Sequence, residues 1–556
     1  MVDKEQTDKL REFYRQLALD PLEPDDPRYV PLYDDDEDPV LALMEGVQFS
    51  PGESTQLLSG YRGSGKSTEL RRLKQYLEND RYAVVLVDIE DYLNTASPVD
   101  IVDYLLALVA AFEEASPGEP EHKGLLTRLT GILGRVRVDE PTVSVPGSIL
   151  EFKLSLKSSS AFVDQLRKYL AGSLGELVKA VREMMAELVK AILTANANAT
   201  EVVLLVDSGE HFRGTLTTDA DVQASVENLF FNQADNLQFR GLHVVYTVPP
   251  YLKTRVGGAA GKYRPGAPLQ VIPAVKVRNE DGQENEDGLA ALRQIVEVRG
   301  KWREVLGEDG EQVRRISLAS GGHLRDLIRL LQEVIRRSMR VDHLPAPERV
   351  VTGAIDQIAR EFLPLADDDA LALWRVHNDH DSPMESIAGG LTTLSRFLDS
   401  HLLLCYRNGR EWYDVHPLIV DDAWTTSPLC RADCEHSIQR KSRDLMVAVL
   451  RTRGSMCSAK TLMTPSTFST VPRISNAGWA RATRRNRVHA PRETITLIRP
   501  VSSSRLMKMV PWAVAGRWRW VTIPPTVTRA RSATSTRPAA VTTPCSASAA
   551  RTNSVG

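Results

Sequence analysis

The stretch that most constrains this chain is Gly60-Tyr61-Arg62-Gly63-Ser64-Gly65-Lys66-Ser67, followed at once by Thr68. It fits the phosphate-loop pattern G-x-x-x-x-G-K-[ST]. Residues 54–59 before it lean apolar and predict a buried strand. After it, Leu70, Leu73 and Leu77 recur at helical spacing. Strand, glycine turn and helix are the context the pattern needs. Glycines let the backbone curl so that successive N–H groups face an anion, and the helix N-terminus adds partial positive charge. Lys66 has the length to reach β- and γ-phosphates, and the Ser67 hydroxyl suits Mg²⁺. Gly60, Arg62, Gly63, Ser64, Gly65, Lys66, Ser67 and Thr68 therefore form the candidate nucleotide-binding set.

A second landmark is Glu201-Val202-Val203-Leu204-Leu205-Val206-Asp207, an apolar run that ends in a carboxylate. Such a run predicts a buried strand delivering Asp207 to its C-terminal end, where ligands of open α/β sheets sit. Asp207 is the candidate Mg²⁺ ligand alongside Ser67. Glu210, three residues on, is the candidate for polarising an attacking water, and His211 reads as a solvated neighbour. Residues 82–89 and 242–248 give two more buried strands, and residues 269–272 a fifth. Thr247 on the fourth run either contacts the water or γ-phosphate or is simply a β-former in a strand.

At 556 residues the chain is too long for one core. Its charged N-terminus predicts no signal peptide, and no run of 18 apolar residues suits a membrane. Five cysteines are too few for a disulfide framework, so a cytoplasmic location is expected. The net charge of −3 conceals a split: from Trp424 onward there are 22 Lys+Arg against 4 Asp+Glu, leaving 47 against 68 before it.

The order of elements predicts an N-terminal extension (1–40), an α/β core (41–278), a helical lid (289–343) and a small module (350–423). Residues 21–39, rich in Pro and Asp, read as a solvated loop, and 41–44 as a helix near the nucleotide base. Alternation around Pro146-Gly147 predicts a hairpin inserted at about 141–158, and an apolar stripe predicts one long helix over 162–193. Arg325, in the first turn after Ser320-Gly321-Gly322, opposes the helix dipole, which suggests that it serves an outside anion. Helical patterns over 354–363 and 391–400, followed by strands around Asn408-Gly409, suggest a winged helix.

Taken together, these landmarks resemble the AAA+/STAND class of P-loop ATPases over about residues 35–423. The resemblance implies a P-loop NTPase α/β fold: a parallel five-stranded sheet with a helical lid and a winged-helix module. It implies ATP with Mg²⁺, Gly60–Thr68 as Walker A, Asp207 and Glu210 as Walker B, Thr247 as sensor 1 and Arg325 as sensor 2. Arg255 and Arg264 stand where the class carries an arginine finger. Ser208 replaces the acid that usually follows the aspartate, which suggests a slow, switch-like ATPase. Self-assembly or a protein partner is expected, as in STAND-type signalling or bacterial conflict systems. An origin-recognition type of DNA-associated ATPase is the other reading, against which the module's Asp367-Asp368-Asp369 weighs.

From 424 to 556 the periodicity fades and Arg, Ala, Ser, Thr and Pro dominate. The tail reads as a disordered basic arm for nucleic acid, as a poorly patterned domain, or as an out-of-frame translation of a GC-rich gene. Cys430, Cys434 and His436 make only half of a metal motif.

Overall fold

Five strands form the central sheet: β1 (Ser54–Gly60), β2 (Tyr82–Asp88), β3 (Glu201–Asp207), β4 (His243–Val248) and β5 (Gln270–Ile272). They lie in the order β2-β3-β4-β1-β5, and every neighbouring pair is parallel. A computed structural model describes residues 4–116, 124–134, 145–215, 217–253, 262–263, 269–380, 391–420, 513–514 and 517–518. Parallel pairing requires crossovers, which the helices supply. These are α1 (Lys4–Gln16), α2 (Pro39–Gln48), α3 (Lys66–Asn79), α4 (Ile101–Ala115), α5 (Leu125–Leu133), α6 (Ile149–Ser158), α7 (Ser160–Ala171), α8 (Leu174–Ala195) and α9 (Asp219–Glu227).

The period of two in the strands decides which residues face which layer. Val203, Leu205 and Val245 pack on α2 and α3 with Val40, Leu43, Leu70, Leu73 and Leu77. Their neighbours Val202, Leu204, Val206, Val244 and Tyr246 face the other layer, where α4 is buried along almost its whole length. A sheet covered on both faces is why these runs contain so few polar residues. Among the described residues, no helix is long and apolar enough to cross a membrane.

The lid comprises α10 (Glu286–Glu297), α11 (Trp302–Leu306), α12 (Glu311–Ala319) and α13 (Leu324–Ser338). Its core includes Leu292, Trp302, Ile316, Leu327 and Leu331, and α1 packs into it through Leu10, Phe13 and Leu17. The chain then forms α14 (Glu348–Ala359), α15 (Asp367–Asp379), α16 (Leu391–Asp399) and an antiparallel hairpin, β6 (Leu403–Asn408) with β7 (Arg410–Val415). In a second unit, residues 460–556, Ala513–Val514 pairs antiparallel with Arg517–Trp518. The expectations for Arg255, Arg264, Cys430, Cys434, His436 and the rest of the tail fall outside the described residues.

Three expectations change. The hairpin expected at about 141–158 is helical from Ile149 to Ser158, with Ser148 capping through its side chain. Phe152 and Leu156 are buried while Leu150 and Leu154 are exposed, so the alternation is one face of a helix seen at half density. The long helix expected over 162–193 breaks at Gly172-Ser173 into α7 and α8. The segment read as a solvated loop ends in buried Asp38, which caps α2 and receives Arg72 Nη2 on both carboxylate oxygens at 2.6 and 2.7 Å.

The helical insertion makes a simple prediction. Phe152→Ala should destabilise the fold by about 3–5 kcal/mol, the range for emptying a buried aromatic site. Leu154→Ala, at an exposed position, should change stability by no more than about 0.5 kcal/mol. Chemical denaturation of both variants checks this, and equal losses would contradict the helical register.

Candidate nucleotide-binding site

Strand β1 ends at Gly60, and α3 begins at Lys66 with Gly65 as its N-cap at φ +98°. Gly63 has φ +91°, and a Cβ placed there would lie 2.5 Å from Arg325 Nε. Both facts require glycine. The Lys66 ammonium is buried and folded over the loop's own strand end. It donates to Gly60 O at 2.9 Å and Tyr61 O at 2.6 Å, and pairs with Glu210 Oε1 at 2.8 Å.

Asp207 ends β3, one strand away across β4. It accepts a hydrogen bond from the Ser67 side chain and another from Ser208 N at 2.8 Å. Burial, then the charge of Glu210, pushes its carboxyl above the ordinary value. A glycine loop opening a helix is thus joined directly to the buried carboxylate of a neighbouring parallel strand.

The core has a P-loop NTPase fold.

No family model and no curated protein matches the chain. Among solved structures it is similar to a Walker-type ATPase of Pyrococcus abyssi, at 12% identity over 73% of this chain and 99% of that one, with TM-score 0.31. It is also similar to the ORC2 protein of Aeropyrum pernix in its ADP form, at 12% identity over 74% and 97%, with TM-score 0.36. Drosophila ORC bound to DNA is 11% identical over 77% and 94%, with TM-score 0.32. At such values the fold assignment rests on the P-loop, the strand order and Asp207, and not on these likenesses.

The turn after Asp207 is unusual. Ser208 adopts φ +66°, a left-handed conformation rare for a residue with a side chain. The backbone thereby carries Glu210 back over the P-loop to Lys66. Gly209 sits so close to β4 that a Cβ would lie 2.0 Å from Thr247 O. Burial works against ionisation of Glu210, but Lys66 and then His211 outweigh it and hold the carboxyl below its ordinary value. His211, expected to be solvated, is mostly buried, bonds Glu90 and lies 3.8 Å from Glu210.

The sequence left Thr247 open between a phosphate or water contact and a plain strand position. It is fully buried, its hydroxyl donates to Val206 O at 3.1 Å and accepts from Gly209 N at 2.8 Å. It therefore braces the turn that carries Glu210. Thr68 likewise accepts from Leu22 N at 3.1 Å, tying the N-terminal segment to α3. Among the described residues, the Ser64 hydroxyl in the loop is buried without a hydrogen-bond partner.

The lid approaches from the opposite side. Arg325 N donates to Gly63 O at 3.3 Å, and its side chain lies across the loop. Burial, then the neighbouring Arg62, lowers its pKa, and its guanidinium has no hydrogen-bond partner among the described residues. Two cations beside a curled loop favour an anion between them.

A cavity of about 340 Å³ opens here, bordered by Lys66, Ser67, Glu210 and Arg325. Its apolar wall comes from Leu19, Tyr29, Leu32, Ile295 and Ile328. The helix expected near the base, residues 41–44, instead belongs to α2 and packs on α3. Residues 18–32 wall the cavity instead; their irregular backbone carries no periodicity that could have marked them. Asp88 also borders the cavity, directly opposite Asp207 in the β2–β3 register. Its signal was legible, since β2 is another apolar run ending in aspartate.

Thr247→Val should leave Gly209 N–H buried and unpaired, destabilising the protein by about 1–3 kcal/mol. Nucleotide affinity should change little while turnover falls. Unaltered thermal stability with weakened binding would instead favour direct phosphate contact by Thr247.

Proposed function

We propose that this chain is an ATP-binding and ATP-hydrolysing regulatory switch of the AAA+ type, with STAND-like nucleotide-gated assembly. One observation carries the reading. Lys66, Ser67, Glu210 and Arg325 come from separate segments of core and lid, yet border a single cavity, and Asp207 is bonded to Ser67 beside it.

The residues fit magnesium nucleotide. Gly63, lacking a side chain, lets Arg325 lie against the loop, and among the described residues Ser64 Oγ and Glu210 Oε2 are buried without hydrogen-bond partners. Ser67 and Asp207 would hold Mg²⁺, whose charge would offset that of the triphosphate. Lys66 would exchange Glu210 for phosphate oxygens, because a polyanion offers it more charge than one carboxylate does. Glu210, thus released, would accept the proton of the attacking water. Arg325 would bind the γ-phosphate from the lid, so that closure reports nucleotide state. The reach from Asp207 to Glu210 through a left-handed serine suits a slow enzyme that signals by occupancy.

A second reading, a DNA-associated ATPase of origin-recognition type, draws support from helices α14–α16 followed by the β6–β7 hairpin, the element order of a winged helix. Asp367-Asp368-Asp369 in the first turn of α15 opposes it, although Asp369 is tied to Arg396 at 2.8 and 2.5 Å.

Lys66→Ala should abolish ATP binding in calorimetry. Glu210→Gln should keep or tighten binding while turnover falls by roughly 10²–10⁴-fold, the usual contribution of a general base. Unchanged phosphate release in the second variant would remove Glu210 from the mechanism. ATP-dependent growth in particle mass without DNA supports the switch. Salt-sensitive duplex binding by a chain ending at Ala423 supports the DNA reading.

A further inference from the structure

Behind the P-loop, where the lid meets the C-terminal helices and hairpin, three imidazoles converge on one buried carboxylate. We propose that His323, Asp326 and His401 form a binding site for one divalent transition metal of the zinc class, separate from the nucleotide's magnesium.

Asp326 lies in the first turn of α13 with no exposed surface, and His323 immediately precedes that helix. His401 enters from the turn between α16 and β6, at φ +58°. Such a backbone is uncommon for a side-chain-bearing residue, and it persists where the surroundings demand it. The donor atoms of the three residues all lie within 4.8 Å of one another. His323 Nδ1 is 2.6 Å and His401 Nδ1 3.7 Å from the same oxygen, Asp326 Oδ2. The two rings are 4.2 Å apart between centroids.

The surrounding contacts orient the ligands in the way metal sites require. His323 Nε2 faces Arg62 O at 3.2 Å, so a hydrogen there directs the lone pair of Nδ1 into the cluster. Arg329 Nη1 donates to Asp326 Oδ1 at 3.1 Å, leaving Oδ2 for a single metal bond. His416 is a support and not a ligand. Its Nδ1 accepts from Leu418 N at 3.2 Å, so its proton resides on Nε2, which points at Asp326 Oδ2 from 3.5 Å.

A purely hydrogen-bonded cluster explains this arrangement poorly. Three ring nitrogens approach one carboxylate oxygen, which has two lone pairs, and His416 Nε2 reaches it only at 3.5 Å. A metal resolves the crowding by accepting lone pairs from both His323 and His401. Two imidazole nitrogens and one carboxylate suit zinc, with water completing a tetrahedron, whereas magnesium prefers oxygen ligands alone. Through Arg62 O the site would fasten the P-loop to the lid, and through His401 it would fasten both to the C-terminal module.

The test uses the full chain purified without chelator. Elemental analysis should find about one zinc per chain. After chelation, Co²⁺ should restore one equivalent and produce the visible bands of a tetrahedral N/O site. His401→Ala should lose the band, and His416→Gln should keep it with affinity weakened by about 10–100-fold, as for other supporting residues of metal sites. Asp207→Asn should leave both stoichiometry and spectrum intact, separating this site from magnesium. Wild-type protein that carries no zinc and shows no cobalt band overturns the proposal without any variant. So does folded His401→Ala that binds Co²⁺ as tightly as wild type.

Discussion

The structure depends on the buried ion pair between Lys66 and Glu210. A lysine ammonium and a glutamate carboxylate, with side chains only 2% and 5% exposed, meet where the ends of β1 and β3 come together. Neither charge is tolerable there alone, since removing one partner of a buried pair leaves the other uncompensated. The pair therefore ties the start of α3 to the turn after β3, across the width of β4. On the proposed function, phosphate oxygens would substitute for the carboxylate around the same ammonium.

Strand β4 makes that meeting possible. It lies between β1 and β3, and Thr247 on it is bonded to Val206 and Gly209, the residues flanking Asp207 and Ser208. The left-handed Ser208 and the absence of a side chain at Gly209 let the chain double back tightly enough to aim Glu210 at the loop. One hydroxyl and one missing methyl thus decide where a carboxylate three residues beyond the strand comes to rest. Packing on both faces of the sheet supplies the rigidity on which this arrangement rests.

The lid and the N-terminal segment are joined to the same place by modest contacts. Helix α1 packs on the lid through Leu10 and Phe13, with Gln332 Nε2 donating to Leu17 O at 2.7 Å, while Leu22 is bonded to Thr68 on α3. Residues 18–32 therefore bridge lid and core and wall the cavity between them. Arg325 crosses Gly63 from the lid side. All three border the same cavity.

The chain's own sequence determined the loop, the five strands of the sheet and the carboxylate at the end of β3. Each is a local matter: glycine freedom over a few residues, an apolar run of strand length, a helix stripe beginning at Lys66. The pattern was misleading where two periodicities overlap. Leu150, Phe152, Leu154 and Leu156 alternate as a strand does, yet only Phe152 and Leu156, one helical turn apart, are buried. Only the tertiary structure decided that Thr247 braces a turn, that residues 18–32 border the cavity, and that three histidines from 323 to 416 share one aspartate. These depend on which segments are brought together across the sheet and the lid, and contacts between residues far apart in the chain leave no periodic trace in the order of its amino acids.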